Sequence, residues 1–324
     1  MMQSVIRARK LYVGDGTAID FPLVVLQDGI IQEILQDPKG DVFAKFQAAE
    51  KYDISETYLI PGLIDVHVHV MLPGDGREME KILSEYKEGE IALLAWQNAQ
   101  EALAHGITTL RDCGCAYGIA MQLRDLLQKE AWNGPDIVAS GAPITSSCGH
   151  CHPMGGSADG AQEIVRKIRQ QRKAGIDFCK AMADGGATQG GKSGMTFSQE
   201  ELEIVVEEAH RLHMLVSMHA TSMEAVEAAV DAGVDRIEHG WWINASGSSW
   251  YTNENLYQKI SRQNIMICPT PAIMESSLRY YKQILNHKEN SAIREAYESL
   301  KKYNDTGVPP DLCTSGRVSF DMIN

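Results

Sequence analysis

Gly106-Ile107-Thr108-Thr109-Leu110-Arg111-Asp112 is a junction that recurs along this chain. An amphipathic stretch ends at the glycine and a short β-branched run starts directly after it. Gly175-Ile176-Asp177-Phe178-Cys179-Lys180-Ala181 and Gly233-Val234-Asp235-Arg236-Ile237-Glu238-His239 repeat the arrangement. Glycine suits the left-handed residue that closes a helix, and a β-branched residue suits the start of a buried strand. Helix, glycine and strand in repetition predict parallel βα units.

The helices carry start signals as well. Ser198 and Glu201 form a capping box ahead of an apolar stripe at Leu202, Val205, Val206, Ala209 and Leu212, and Thr221 with Glu224 repeats the box. Seven strands are predicted, centred near residues 64, 109, 138, 179, 216, 237 and 266. Seven units with an eighth expected predict an α/β fold of the (β/α)8 TIM-barrel type. A doubly wound sheet is the alternative, but no G-x-G-x-x-G follows a strand. The first residues read differently. Val24-Val25-Leu26, a turn at Gln27-Asp28-Gly29 and Ile30-Ile31 predict a small antiparallel β-unit. Residues 1–57 are therefore read as a β-rich unit and residues 58–324 as the barrel.

Composition narrows the function classes. The 324 residues carry a formal net charge of -13, and 44% are hydrophobic. An acidic chain without a basic stripe is unsuited to nucleic acid. No apolar run approaches the roughly 18 residues of a membrane span, and no apolar segment follows the basic start as in a signal peptide. Seven cysteines, odd in number and mostly within apolar runs, suit the reducing cytoplasm. The expected partner is a small molecule, with no nucleic acid or membrane; a homo-oligomer is left open.

In such a barrel the chemistry sits at the C-terminal ends of the strands. The first strand ends in His67-Val68-His69, the fourth in Lys180, the fifth in His219 and the sixth in Glu238-His239-Gly240. His67 and His69 are two apart on an extended segment, so both rings point to one side. Imidazole is the commonest protein ligand for zinc-like metals. Taken singly, each histidine reads as a hydrogen-bonded core residue, and Lys180 as a surface group paired with Asp184. Taken together, they select the same end of successive strands, which neither bland reading explains.

Leu59-Ile60-Pro61-Gly62-Leu63-Ile64-Asp65-Val66-His67-Val68-His69 resembles the opening signature of the amidohydrolase superfamily. Phe178-Cys179-Lys180-Ala181-Met182, Ser217-Met218-His219-Ala220 and Ile237-Glu238-His239-Gly240 follow in that superfamily's order. The likeness extends to about residue 308 and is greatest to the imidazolonepropionase-like and dipeptidase-like branch. The resemblance implies a metal-dependent hydrolase that cleaves the C–N bond of a dipeptide-like or N-acyl substrate by attack of a metal-activated water. It implies that His67 and His69 hold one divalent metal and that His219 and His239 hold a second, both zinc. It further implies that Lys180 is carboxylated by CO2 and that its carbamate bridges the two ions. A buried lysine with a lowered pKa suits that addition, since CO2 adds to the neutral amine.

The last strand departs from the pattern. Gly307-Val308 is followed by Pro309-Pro310, which cannot donate to a sheet ladder. Where the resemblance expects an aspartate that shuttles protons, Cys313-Thr314-Ser315 places Ser315, with Asp311 and Asp321 nearby but out of register. The sequence thus predicts a barrel incomplete or distorted at strand eight, in a truncated or frame-altered copy with impaired activity. Its β-unit would lack the strands that the family supplies after the barrel.

Cys148-Gly149-His150-Cys151 is a C-x-x-C on the loop after the third strand. A redox dithiol needs a helix N-terminus to lower its pKa, whereas His152-Pro153-Met154-Gly155-Gly156 favours a loop. Zinc binding there lacks a second cysteine pair. The resemblance makes His150 or His152 the substrate-contacting histidine. His105 is read as a helix-end cap, His210 and His213 as surface residues, Arg111-Asp112 as a structural pair, and Trp241-Trp242 as packing or pocket wall. A one-metal deaminase, a non-catalytic metal-binding remnant and a thiol oxidoreductase remain as alternatives.

Overall fold

The computed structural model describes residues 2–75, 77, 79–130, 132–186, 194–243 and 253–272, and the helical residues 278, 279, 282, 283, 285, 286, 294, 297, 298 and 301; for residues 241–243 it describes the backbone alone. The expectations placed on Gly307 to Asp321, Ser315 among them, and on the Trp241 and Trp242 side chains lie outside the described residues. The chain divides into two units, Met1–Leu63 and Ile64–Asn324.

The first unit is a sheet of β1 (Gln3–Tyr12), β2 (Ala18–Asp20), β3 (Pro22–Gln27), β4 (Ile30–Gln36) and β5 (Glu50–Leu59), with a short helix α1 (Asp41–Lys45) before β5. β1 runs antiparallel to β2 and β3 and parallel to β5. The predicted hairpin is present: Gln27 pairs with Ile30 around Asp28 and Gly29, both at positive φ. A two-residue turn of this hand needs both central residues left-handed, which Asp-Gly tolerates well. Val5, Leu23 and Val25 form the core, while Ile30 and Ile31 on β4 are exposed. The Asp37 carboxylate accepts from the Val42 and Phe43 amides and so holds the start of α1.

The second unit carries the βα repetition. In order it contains β6 (Leu63–Val68), α2 (Met79–Glu85), α3 (Glu88–Ala104), β7 (Ile107–Asp112), α4 (Ile119–Glu130), β8 (Asp136–Ala139) and α5 (Gly160–Ala174). β9 (Cys179–Met182), α6 (Gln199–Arg211), β10 (Val216–Ser222), α7 (Met223–Ala232), β11 (Arg236–Ile243), α8 (Glu254–Arg262) and β12 (Met266–Cys268) follow. Each of the seven predicted strand centres falls inside one of these strands. The strands lie in the orders β6-β7-β8 and β9-β10-β11-β12. Ile144, just beyond β8, joins the two sets: it donates to the Lys180 carbonyl at 2.8 Å and accepts from the Met182 amide at 2.9 Å. The pairings of β7 with β8 and within the second set are parallel.

Both faces of β9 and β10 are buried, and they differ. Cys179, Ala181, Val216, Met218, Ala220 and Ile237 belong to the apolar cluster built with Leu202, Val205 and Val206 of α6 and Val226 and Ala229 of α7. The alternate positions Lys180, Ser217, His219 and Glu238 are buried but polar. A strand sends successive side chains to opposite faces, so one face packs the helices and the other forms a polar interior. Gly175 and Gly233 close α5 and α7 in the left-handed region, as predicted. The capping box at Ser198 and Glu201 is complete. The second box is corrected: α7 is capped by Ser222, which accepts from the Ala225 amide, because the Thr221 hydroxyl is committed to Asp184.

Leu202→Ala empties a fully buried site between α6 and the sheet and should cost about 2–5 kcal/mol in urea denaturation. Burial acts to raise the Asp37 carboxyl, but the Phe43, Val42 and Gly40 amides and the charge of Arg7 together outweigh it and hold it below the usual carboxylate range. Its stabilising contribution is therefore complete above about pH 4 and lost as the pH falls through the lowered folded value. The stability deficit of Asp37→Asn should be present at about pH 7 and shrink on acidification below about pH 4, read from denaturation midpoints across pH.

Candidate metal centre

The polar interior gathers the histidines. His67 and His69 leave β6 on one side with ring centroids 5.5 Å apart. His239 lies 5.0 Å from His67 and 4.6 Å from His219, and His219 lies 4.6 Å from His150. His69, His67, His239, His219 and His150 therefore form one continuous run of rings. His239 reaches it by breaking the pleat. Glu238 already points inward, so regular alternation would send His239 outward. Instead His239 and Gly240 take φ of 71° and 58°, and the register against β10 jumps from Ala220–His239 to Ser222–Ile243. The bulge re-aims His239 and lets consecutive residues serve the same interior.

Burial sets the charge state of the group. It is the largest cause lowering the pKa of all five imidazoles, with His69 brought down to about 3, and the nearby Lys180 adds to the shift in each. Lys180 is itself 2% exposed, and burial lowers its own pKa. Its Nζ meets only the Ala181 carbonyl at 3.4 Å and the Met182 Sδ at 3.3 Å among the described hydrogen bonds. The expected surface pairing of Lys180 with Asp184 is thus corrected. Asp184 is fully buried and accepts from the Thr221 and Ser222 amides and hydroxyls.

Three of the rings have a fixed Nδ1. That of His67 lies 2.5 Å from Glu238 Oε2, that of His69 2.9 Å from the Gly114 carbonyl, and that of His239 2.7 Å from Thr270 Oγ1. An acceptor at Nδ1 leaves Nε2 as the electron-pair donor of a neutral imidazole. For His67 and His69 that assignment follows directly. His219 Nε2 lies 3.0 Å from Asp184 Oδ1, yet it is buried and has no hydrogen-bond partner among the described residues. A buried, unsatisfied nitrogen among neutral imidazoles and a neutral-leaning lysine fits a cation site. His67, Glu238 and Cys268 also bring donor atoms within 4.8 Å of one another. Arg111 already occupies that carboxylate at 2.8 Å, so a cation there would face a guanidinium. Hydrogen bonding is the better account of that cluster.

Residues 58–323, which carry these histidines and Lys180, match the model of the amidohydrolase family. The chain belongs to the amidohydrolase family. It is 26% identical over 305 residues to ochratoxinase of Aspergillus niger, covering 84% of this chain and 59% of the relative. It is 27% identical over 262 residues to imidazolonepropionase of Caulobacter vibrioides, covering 69% and 62%. The chain thus spans about three-fifths of these relatives. A solved Xaa-Pro dipeptidase with bound methionine superposes with a TM-score of 0.71 at 24% identity, over 99% of this chain and 74% of the other. Ochratoxinase of A. niger superposes with the same TM-score at 22% identity, over 94% and 71%. These likenesses show a TIM-barrel-like α/β fold.

Of the residues singled out in the sequence, His67, His69, Lys180, His219, His239 and His150 come together. His152 does not join the rings; its Nδ1 turns to the Gly149 carbonyl at 3.1 Å. Cys148 is exposed, whereas Cys151 is buried with its thiol pushed up to about 12, and a three-residue 3-10 turn follows. That weighs against an activated dithiol. The expected Arg111–Asp112 pair is corrected. Arg111 bonds Glu238, Ser217 and the Val66 carbonyl, while Asp112 accepts from the Val70 and Gly114 amides. Sequence reasoning missed Glu238, Ser217, Asp184 and Thr270 as partners. Strand parity points to Ser217 alone, on the face of His219.

Gly186, at φ 46°, has no room for a side chain: a Cβ would stand 2.8 Å from the His150 ring and 2.9 Å from His219 Nε2. Gly186→Ala should cost about 1–2 kcal/mol from backbone strain and shift the His150 and His219 resonances while leaving those of exposed His105 and His210 in place.

Proposed function

We propose that this chain carries the catalytic unit of a metal-dependent hydrolase that cleaves the amide C–N bond of a dipeptide-like or N-acyl substrate. The observation that carries the reading is the run of contacting imidazoles, partly or fully buried and all lowered in pKa by burial and by Lys180, with His219 Nε2 left unsatisfied. His67, His69, His219, His239 and Lys180 would hold two divalent ions, zinc by their nitrogen-rich donor set. Bound there, such ions polarise the scissile carbonyl and acidify a water so that it attacks near neutral pH.

The chain's own groups have separate tasks. Lys180 is driven toward the free amine by burial, the form that adds CO2 to give a carbamate and one released proton. The carbamate would be the anionic group among these neutral ligands. His150 is kept neutral by burial and lies against His219, where a ring N–H can be offered to a substrate oxygen. The Xaa-Pro dipeptidase and prolidases among the similar structures support the substrate class. Among the described residues no helix is long and apolar enough to cross a membrane. The formal net charge of -13 supports a small-molecule substrate rather than nucleic acid.

Elemental analysis should find two ions per chain, and chelation should abolish hydrolysis in a screen of dipeptides and N-acyl amino acids. Lys180→Ala should reduce the ion count and lower turnover by about 100-fold or more. One ion in the unaltered chain would favour the mononuclear deaminase-type reading. Bound metal with no turnover of any substrate would favour a non-catalytic remnant.

A further inference from the structure

We infer that Glu238 is a positioning residue: through its carboxylate, clamped by Arg111 and Ser217, it holds His67 as the Nδ1–H tautomer with Nε2 as the metal-binding nitrogen. The inference deepens the metal reading given above and rests on it. Glu238 is fully buried, and each of its oxygens is used. Oε2 accepts from His67 Nδ1; Oε1 accepts from Arg111 at 2.8 Å and from the Ser217 hydroxyl. Arg111 is fixed in turn by the Val66 carbonyl at 2.6 Å and Ser217 Oγ at 2.7 Å, and its guanidinium lies over the Phe178 ring at 4.5 Å. The carboxylate therefore has its counter-charge from Arg111 and can take the histidine hydrogen bond without pulling a second cation inside.

Arginine is suited to this place and lysine is not, because one planar fork bonds three acceptors at once. Glu238 differs from the other Nδ1 partners in the group. His69 is held by a carbonyl and His239 faces a hydroxyl, so Glu238 is the charged partner among the three. A carboxylate behind an imidazole fixes the tautomer and raises the basicity of the opposite nitrogen. The bulge at His239 is what allows this. Without it, Glu238 and His239 would face opposite sides of β11, and one of the two roles would be lost.

The 324-residue chain, labelled with 15N-histidine and stripped of metal, reports the tautomer by long-range 1H–15N correlation, with His67 assigned by His67→Gln. The expected wild-type state is Nδ1–H. Glu238→Ala should move His67 toward Nε2–H and weaken cobalt(II) binding about 10–100-fold. Glu238→Gln keeps an acceptor without the charge and should restore the tautomer and most of the affinity. Ser217→Ala leaves Arg111 and Glu238 paired; should Glu238→Ala not fold, a several-fold loss of cobalt affinity in Ser217→Ala carries the test. An Nε2–H His67 in the wild-type chain, or cobalt affinity unchanged in every variant, overturns the inference. Loss of an ion on Cys268→Ser also overturns it, because Glu238 would then belong to a ligand cluster with His67 and Cys268. No cobalt uptake by the wild-type chain overturns the metal reading, and the positioning role with it, whatever the tautomer.

Discussion

A buried space that holds several nitrogen bases holds them as neutral groups. Desolvation penalises each positive charge, and each neighbour penalises it further. Burial lowers the pKa of His67, His69, His150, His219 and His239, and that of Lys180 as well, so each is pushed toward its neutral form. Neutrality costs the fold little, and it leaves behind a concentration of unshared electron pairs. The carboxylates in contact with the group, Glu238 and Asp184, are both fully buried; Glu238 takes donors from Arg111, Ser217 and the Nδ1 of His67, and Asp184 from Thr221 and Ser222, so both stay ionised. The structure thus separates two jobs. Lone pairs face inward, and negative charge is kept behind them.

That separation depends on strand parity. Polar residues at Lys180, Ser217, His219 and Glu238 alternate with Cys179, Ala181, Val216, Met218 and Ile237 on the helix side. A one-residue slip of any strand would exchange the two sets, burying charge against α6 and α7 and placing methyl groups in the polar interior. The helix layer therefore specifies the site without touching it.

Much of this was legible in the sequence because it is local. The glycine junctions, the Ser198 capping box, the Asp28-Gly29 turn and the seven strand centres each follow from a few neighbouring residues. His67, His69, Lys180, His219 and His239 could be collected because each follows a short apolar run in the sequence, although β9, β10 and β11 continue past Lys180, His219 and His239. What could not be read is the pairing across the interior. Arg111 and Glu238 are 127 residues apart, and His67 and Glu238 171. Arg111 next to Asp112 suggested a local pair, but adjacent residues on a strand face opposite ways. Thr221 with Glu224 resembled a cap for the same reason that Ser198 was one, and Asp184, distant in sequence, decided otherwise. Glu238 was hidden twice: it precedes a histidine that parity would put on the other face, and only the left-handed turn at His239 resolves the conflict.

The same turn has a mechanical side. Glu238 reaches back to β6 and its neighbour His239 reaches forward to Thr270, two residues past β12. Arg111 ties β7 and β10 to the same carboxylate. Two consecutive residues thus act as a cross-tie through the polar interior, linking β6 to the segment after β12 by way of β11. Slack introduced near Thr270 would be felt at His67, although no backbone ladder connects the two among the described residues.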